Sequence, residues 1–231
     1  MRIAVVDMDE DLPCFHFLTG GKAGSDTSIN SHRVIREGRS GVKVVGFSET
    51  IIAGLSETEA ADRVLNNLHH IEEEHDVILI SVVQGTLLKM ETVLPDPLRE
   101  FILFVARDKF KMLAAYKTIK SIFSLHPLAH AGIIITPIRH AFEADLVHDR
   151  MSGAVEKFLG RELHRYGFLY KSEKEPDAAF LSDSFCEADV TTCISNIVQN
   201  LVSRVHRTGS SSQGHFFSNL CAGYGRTIGS G

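Results

Sequence analysis

Asp76-Val-Ile-Leu-Ile-Ser-Val-Val-Gln-Gly85 is the stretch on which the fold turns. Five of the seven residues from Val77 to Val83 are β-branched and none is charged. Branched side chains suit a pleated strand, and an uninterrupted apolar run between a polar segment and a glycine reads as a strand buried on both faces of a parallel sheet. In open α/β sheets ligands lie beyond the carboxyl ends of the strands, so Ser81, Gln84 and Gly85 are the first candidate site residues. The metal-holding strand of a nucleotide hydrolase would close on a carboxylate. Here Ser81 stands in that place.

Upstream, Arg2 to Asp7 (RIAVVD) is an apolar run that delivers Asp7 and Asp9 to its carboxyl end, and Val42 to Phe47 is another strand. Ser56-Glu-Thr-Glu59 is a capping box, followed by Ala60, Val64, Leu68 and Ile71 on one helical face that leads into the Asp76–Gly85 stretch. Downstream, Phe101–Ala106 and Ala131–Thr136 are strands, the second stopped by Pro137, and Tyr166–Tyr170 is a short last strand. A helix from about Lys109 to Ser124 turns Phe110, Leu113, Ala114, Ile119, Ile122 and Phe123 inward. Phe142, Leu146, Met151, Val155 and Phe158 line a second helix, and Val190, Ile194, Ile197, Leu201 and Val205 stripe a closing one. Strands alternating with helices predict an α/β fold, a doubly wound, mostly parallel sheet with helices on both faces and right-handed crossovers.

The chain has 231 residues, 44% hydrophobic and 23% charged, which suits one α/β domain over residues 1–206 and a Gly/Ser-rich flexible tail over 207–231. A net charge of -5 argues against a broad nucleic-acid surface, so no nucleic-acid partner is expected. Lys109, Lys111, Lys117 and Lys120 read as a solvated helix face. Cys14, Cys186, Cys193 and Cys221 form no CxxC pair and read as free thiols, which points to a cytoplasmic protein. Asp7, Asp9, Glu10 and Asp11 interrupt the first apolar run, so a signal peptide is not expected there. His69-His70 and the His126/His130 pair have no cysteine or carboxylate to complete a ligand set, so no metal site is expected from them.

The order of VVDMD, LPCFHFLTG, VKVVGFSETIIAGL, DVILISVVQG, FILFVARDKFKMLAAYKTIKSIF, GIIITPIRHAFEA and FLGRELHRYGFLYKSE, over roughly residues 2 to 206, resembles the MinD/ParA branch of deviant P-loop ATPases. It resembles most of all the FlhG (FleN) proteins that set flagellar number. The resemblance implies a P-loop NTPase-like fold of the SIMIBI type. It also implies a Walker A loop, KGGxGK[ST], and this chain begins one strand too late to contain it. Gly20 to Ser28 (GGKAGSDTS) is similar to such a loop, but an aspartate and a threonine replace a glycine and the phosphate-binding lysine, so it reads as a surface turn.

By the same resemblance, Asp7 and Asp9 match the family's Asp-x-Asp pair, with Asp9 as the acid that positions the attacking water. Ser81 replaces the Walker B aspartate, Gln84 and Gly85 follow it at the strand end, and Thr136 stands where relatives carry an adenine-binding asparagine. These departures predict a degenerate regulatory or binding module that uses no cofactor and works with a protein partner or as a homodimer, in flagellar number control or cellular positioning. The alternative is an ATPase using ATP and Mg²⁺ whose Walker A segment is missing from this chain. Phe216-Phe217 amid glycine and serine cannot form the family's membrane-docking amphipathic helix, so membrane targeting is not supported. Without the P-loop strand, Val77–Val83 and Phe101–Ala106 are expected to close up and pair directly.

Overall fold

The computed structural model describes residues 2–9, 18, 35–38, 41–46, 68–83, 100–171 and 188–208, the side chains of 188–190 and 205–208 excepted. The chain divides into two units, Met1–Pro97 with Gln213–Gly231, and Leu98–Ser212.

In the first unit the strands β1 (Ile3–Asp7), β2 (Ile35–Glu37), β3 (Lys43–Gly46) and β4 (Val77–Ser81) form one sheet in the order β2-β3-β1-β4. β1 runs parallel to both β3 and β4, and β2 is antiparallel to β3. The central strand is therefore β1, whose Ala4 and Val6 are fully buried, as are Val44 and Val45 of β3. The β4 register is pinned at its start, where the Asp76 amide donates to the Arg2 carbonyl at 2.9 Å and the Arg2 amide donates to Asp76 Oδ2 at 2.6 Å. Residues 68–74 are helical, and Leu68 and Ile71 are buried as their spacing predicts. The capping box at Ser56, with Ala60 and Val64, lies outside the described residues.

The expectation that Val77–Val83 is buried on both faces is not met. Among the described strands β4 ends its sheet, and Leu79 is 42% and Val83 54% exposed. β-Branched composition reports fitness for a pleated strand, whereas burial of both faces requires covering layers and flanking strands that composition does not encode. β2 went unanticipated because Ile35-Arg36-Glu37 is short, with exposed charges, the type of segment that blunts a sheet edge.

In the second unit β5 (Glu100–Val105), β6 (His130–Ile138) and β7 (Leu163–Tyr170) are parallel in the order β5-β6-β7. Helices α1 (Lys109–Leu125), α2 (Ala141–Leu159) and α3 (Ala188–Thr208) accompany them. Asp108 caps α1, its Oδ1 accepting the Phe110 and Lys111 amides at 2.9 and 3.0 Å. Gly160 closes α2 at φ 62°, the left-handed conformation that glycine adopts without strain. α1 and α2 bury Ile119, Val147, Met151 and Val155 against Val105, Ile133 and Ile135. On the opposite face Ile197 of α3 packs with Ile134 and Tyr166. Helices thus cover both faces of this sheet, as the alternation predicts.

Several side chains face the other way from expectation. On α1, Phe110 is 79% and Leu113 52% exposed, with Ala114 also exposed, and the buried residues are Ala115, Thr118, Ile119 and Ile122. On α2, Phe142, Leu146 and Phe158 are exposed, while Glu143, Ala144, Val147, Met151 and Val155 are buried. Both helices rest on the sheet through a stripe turned by about one residue from the bulkiest one, which buries the small Ala115 and Ala144. β6 is not stopped by Pro137 but continues to Ile138 through a cis Thr136-Pro137 bond. The ladder is irregular between Ile135 and Ile138, so proline's missing N–H interrupts no regular pairing there. β7 starts at Leu163, three residues before the expected Tyr166, because His164 and Arg165 break the apolar signal without breaking the ladder. The direct pairing expected between Val77–Val83 and Phe101–Ala106 is not among the described ladders. Among the described strands β4 pairs with β1 and β5 pairs with β6.

Candidate functional site at the carboxyl ends of β1 and β4

Parallel pairing brings strand ends together. Asp7 is in register with Gly46 of β3 on one side and with Ser81 of β4 on the other. The Met8 amide donates to the Ser81 carbonyl at 3.0 Å, carrying the ladder one residue past β1. The chain then turns so that the Asp9 amide donates to Asp7 Oδ1 at 3.4 Å and Asp9 Oδ1 accepts the Val83 amide at 2.8 Å. Asp7 is fully buried and Asp9 is 6% exposed. Carboxylates at such depth are costly unless hydrogen-bonded, and these amide donors offset part of that cost.

The structure therefore assembles Asp7, Asp9 and Ser81 at one strand end. Gln84 and Gly85 lie outside the described residues, as does the Gly20–Ser28 turn. Thr136 is in the second unit, half-buried near the end of β6 and followed by the cis Pro137. Two buried carboxylates beside a hydroxyl can orient a water molecule by accepting its protons. Among the described residues no three His, Cys, Asp or Glu side chains gather as metal ligands, and Ser81 brings a neutral oxygen where a hard dication favours a carboxylate. Of the cysteines, Cys193 is described, and it is buried.

Sequence reading missed a second arrangement, at the carboxyl ends of β5 and β6. Glu143 is buried. Its Oε2 accepts the Arg139 amide at 3.0 Å, and its Oε1 pairs with the Arg107 guanidinium, which is itself 65% exposed. The Arg139 N–H, and after it the Arg107 charge, hold the Glu143 carboxyl below its usual range against the opposing effect of burial. The signal was present, since Glu143 occupies the third helical position after the His140 cap, from which an acid reaches back to the amides entering a helix. The expected inward turn of Phe142 concealed it. Phe142 instead stacks on His140, with ring centroids 5.7 Å apart.

No family model matches the chain, and no curated protein matches it. Among solved structures, a plasmid partition protein from Borrelia burgdorferi is similar with a TM-score of 0.50 at 14% identity, over 88% of this chain and 86% of that one. A cobyrinic acid a,c-diamide synthase from Mycobacterium smegmatis, solved with an ATP analog and magnesium, aligns over 96% of this chain and 78% of that one at 14% identity, with a TM-score of 0.30. The second similarity is too low to bear on the fold. The first, together with the mostly parallel sheets and the helices on both faces of the second unit's sheet, gives the chain an α/β, P-loop NTPase-like fold.

Proposed function

We propose that this chain is a ParA/MinD-like regulatory or binding module whose metal and phosphate chemistry is weakened. The observation that carries the reading is the register of Asp7 with Ser81, which puts a hydroxyl where a dication-holding strand end needs a carboxylate. The engagement of Asp9 with the Val83 amide supports it, because a carboxylate committed to a backbone donor is less available to a water or a metal. The module works through a protein partner or a second copy of itself. Flagellar number control is the process suggested by the motif order, and cellular positioning is its broader form.

A second reading is an ATPase of the same fold, favoured by the two buried carboxylates side by side at the end of the central strand. Calorimetric titration with ATP and Mg²⁺ separates the two. The regulatory reading expects no saturable binding in the micromolar range and no phosphate release, with Ser81→Asp strengthening any Mg²⁺-dependent heat. Micromolar binding with phosphate release overturns it.

A further inference from the structure

The amino-terminal edge of the second unit's sheet, opposite the strand ends where Arg107 meets Glu143, holds a cleft of about 380 Å³. His130, Gly160, Arg161, Glu162, His164 and Arg204 line it. The two imidazole centroids are 6.1 Å apart, and His164 Nδ1 is 3.3 Å from Glu162. Arg204 Nε reaches both Glu100 oxygens at 3.1 Å. Arg161 donates to the Pro127 and Ala129 carbonyls at 2.6 Å each and lies over the Phe123 ring. Both arginines are therefore held in place before any ligand arrives, which lowers the ordering cost of binding.

Charge decides what such a cleft accepts. Among the described residues, with neutral imidazoles, Arg161 and Arg204 face Glu100 and Glu162. Each imidazole that takes up a proton adds a positive charge beside two fixed guanidinium groups. The carboxyl end of α2 at Gly160 carries a partial negative charge, which favours protonated imidazoles and is outweighed by two of them. A metal cation is disfavoured beside two arginines. We propose that the cleft is a proton-gated site for a small tetrahedral oxyanion of the phosphate class, held between His130 and His164 when both imidazoles are charged, with Arg161 and Arg204 as its fixed positive walls.

The groups facing His164 agree with that gating. Burial, then Arg204 of α3, hold its imidazole below the ordinary value, with His130 of β6 adding to them, while Glu162 and Glu100 of β5 pull the other way. His164 thus resists protonation, and a dianion beside it removes the resistance, so anion and proton uptake are linked.

Sulfate is the first probe because it stays dianionic across the range, and chloride holds the ionic strength constant. Titration at about pH 5.5 and about pH 8 should give affinity roughly tenfold higher at the lower pH, because proton uptake and anion binding are linked. The double variant His130→Gln/His164→Gln, with an unchanged circular dichroism spectrum, should lose that difference. If the double variant does not fold, proton NMR of His130 in a His164→Gln chain replaces it, and a His130 pKa that sulfate leaves unmoved overturns the proposal. Equal affinity at both pH values, or a pH difference that survives in the double variant, also overturns it. Phosphate binding as sulfate does supports a free ion as the ligand, whereas saturation by glycerol phosphate alone supports an ester-borne phosphate.

Discussion

The Tyr166 hydroxyl donates to the carboxylate of Glu100, 66 positions earlier, and the same carboxylate receives Arg204 from α3. One acid at the start of β5 therefore ties β7 and α3 to the sheet, and Asn200 adds a bond to the Tyr166 carbonyl at 2.9 Å. Tyr166→Phe removes one donor while leaving the Glu100–Arg204 pair, so a loss of about 1–3 kcal/mol is expected from urea unfolding. Burial and the Glu100 bond raise the phenol above its ordinary value of 10.0, so ultraviolet titration should show Tyr166 still protonated where an exposed tyrosine has ionised.

Gly132 and Gly153 predict opposite outcomes for one substitution. A Cβ on Gly132 would land against the Tyr166 ring, 2.6 Å from Cδ2, so Gly132→Ala should destabilise by roughly 1–3 kcal/mol. A Cβ on Gly153, inside α2, meets nothing within 4 Å, so Gly153→Ala should stabilise by up to about 1 kcal/mol. Thermal unfolding of the two variants beside the parent reads both signs.

Asp9→Ala removes the acceptor of the Val83 amide and should cost about 1 kcal/mol with faster hydrogen exchange at Val83, while Asp9→Asn, which keeps an acceptor oxygen, should cost less. Equal exchange in both variants would mean that the bond contributes nothing.

Acid stability should report Glu143. Its folded pKa is depressed, so its contribution is complete above the ordinary value of 4.5 and is lost as pH falls through the lower folded value. Glu143→Gln should flatten stability against pH below 4.5 and leave the neutral slope alone. A half-buried His164 held low acts in a separate window, with stability complete above its ordinary value of 6.5 and falling as pH drops below it.

All four cysteines should react with a thiol reagent in denaturant without prior reduction, and the buried Cys193 should react slowly in the native chain. Recovery of only two equivalents in denaturant would reveal a disulfide.

Strand positions were legible because Ile3–Asp7, Val77–Ser81 and Ile133–Ile135 carry apolar runs that few other structures accommodate. The proximity of Asp7, Asp9 and Ser81 followed from strand ends alone. Lateral order was not legible, since nothing within Val77–Ser81 says that β1 is the neighbour it pairs with. Helix facing failed for a related reason. Phe110 and Phe142 are the bulkiest apolar groups in their first turns, yet the sheet takes Ala115 and Ala144, and closeness of approach is a property of two surfaces together. Glu143 was hidden because a buried acid is read from its partners, and Arg107 lies 36 positions away.

The place of β1 between β3 and β4 also sets a clock on the ribosome. Its β4 partner, beginning at Val77, is made 74 residues after Ile3, a wait of roughly 4–15 seconds at synthesis rates of about 5–20 residues per second. Until Val44 and Val45 are made both flanks of Val5 and Val6 are unpaired, and until β4 is made one flank still is, so the nascent chain offers an apolar segment well before the sheet can shield it. Slower translation between codons 46 and 77 should therefore lower soluble yield while leaving the stability of the finished protein unchanged.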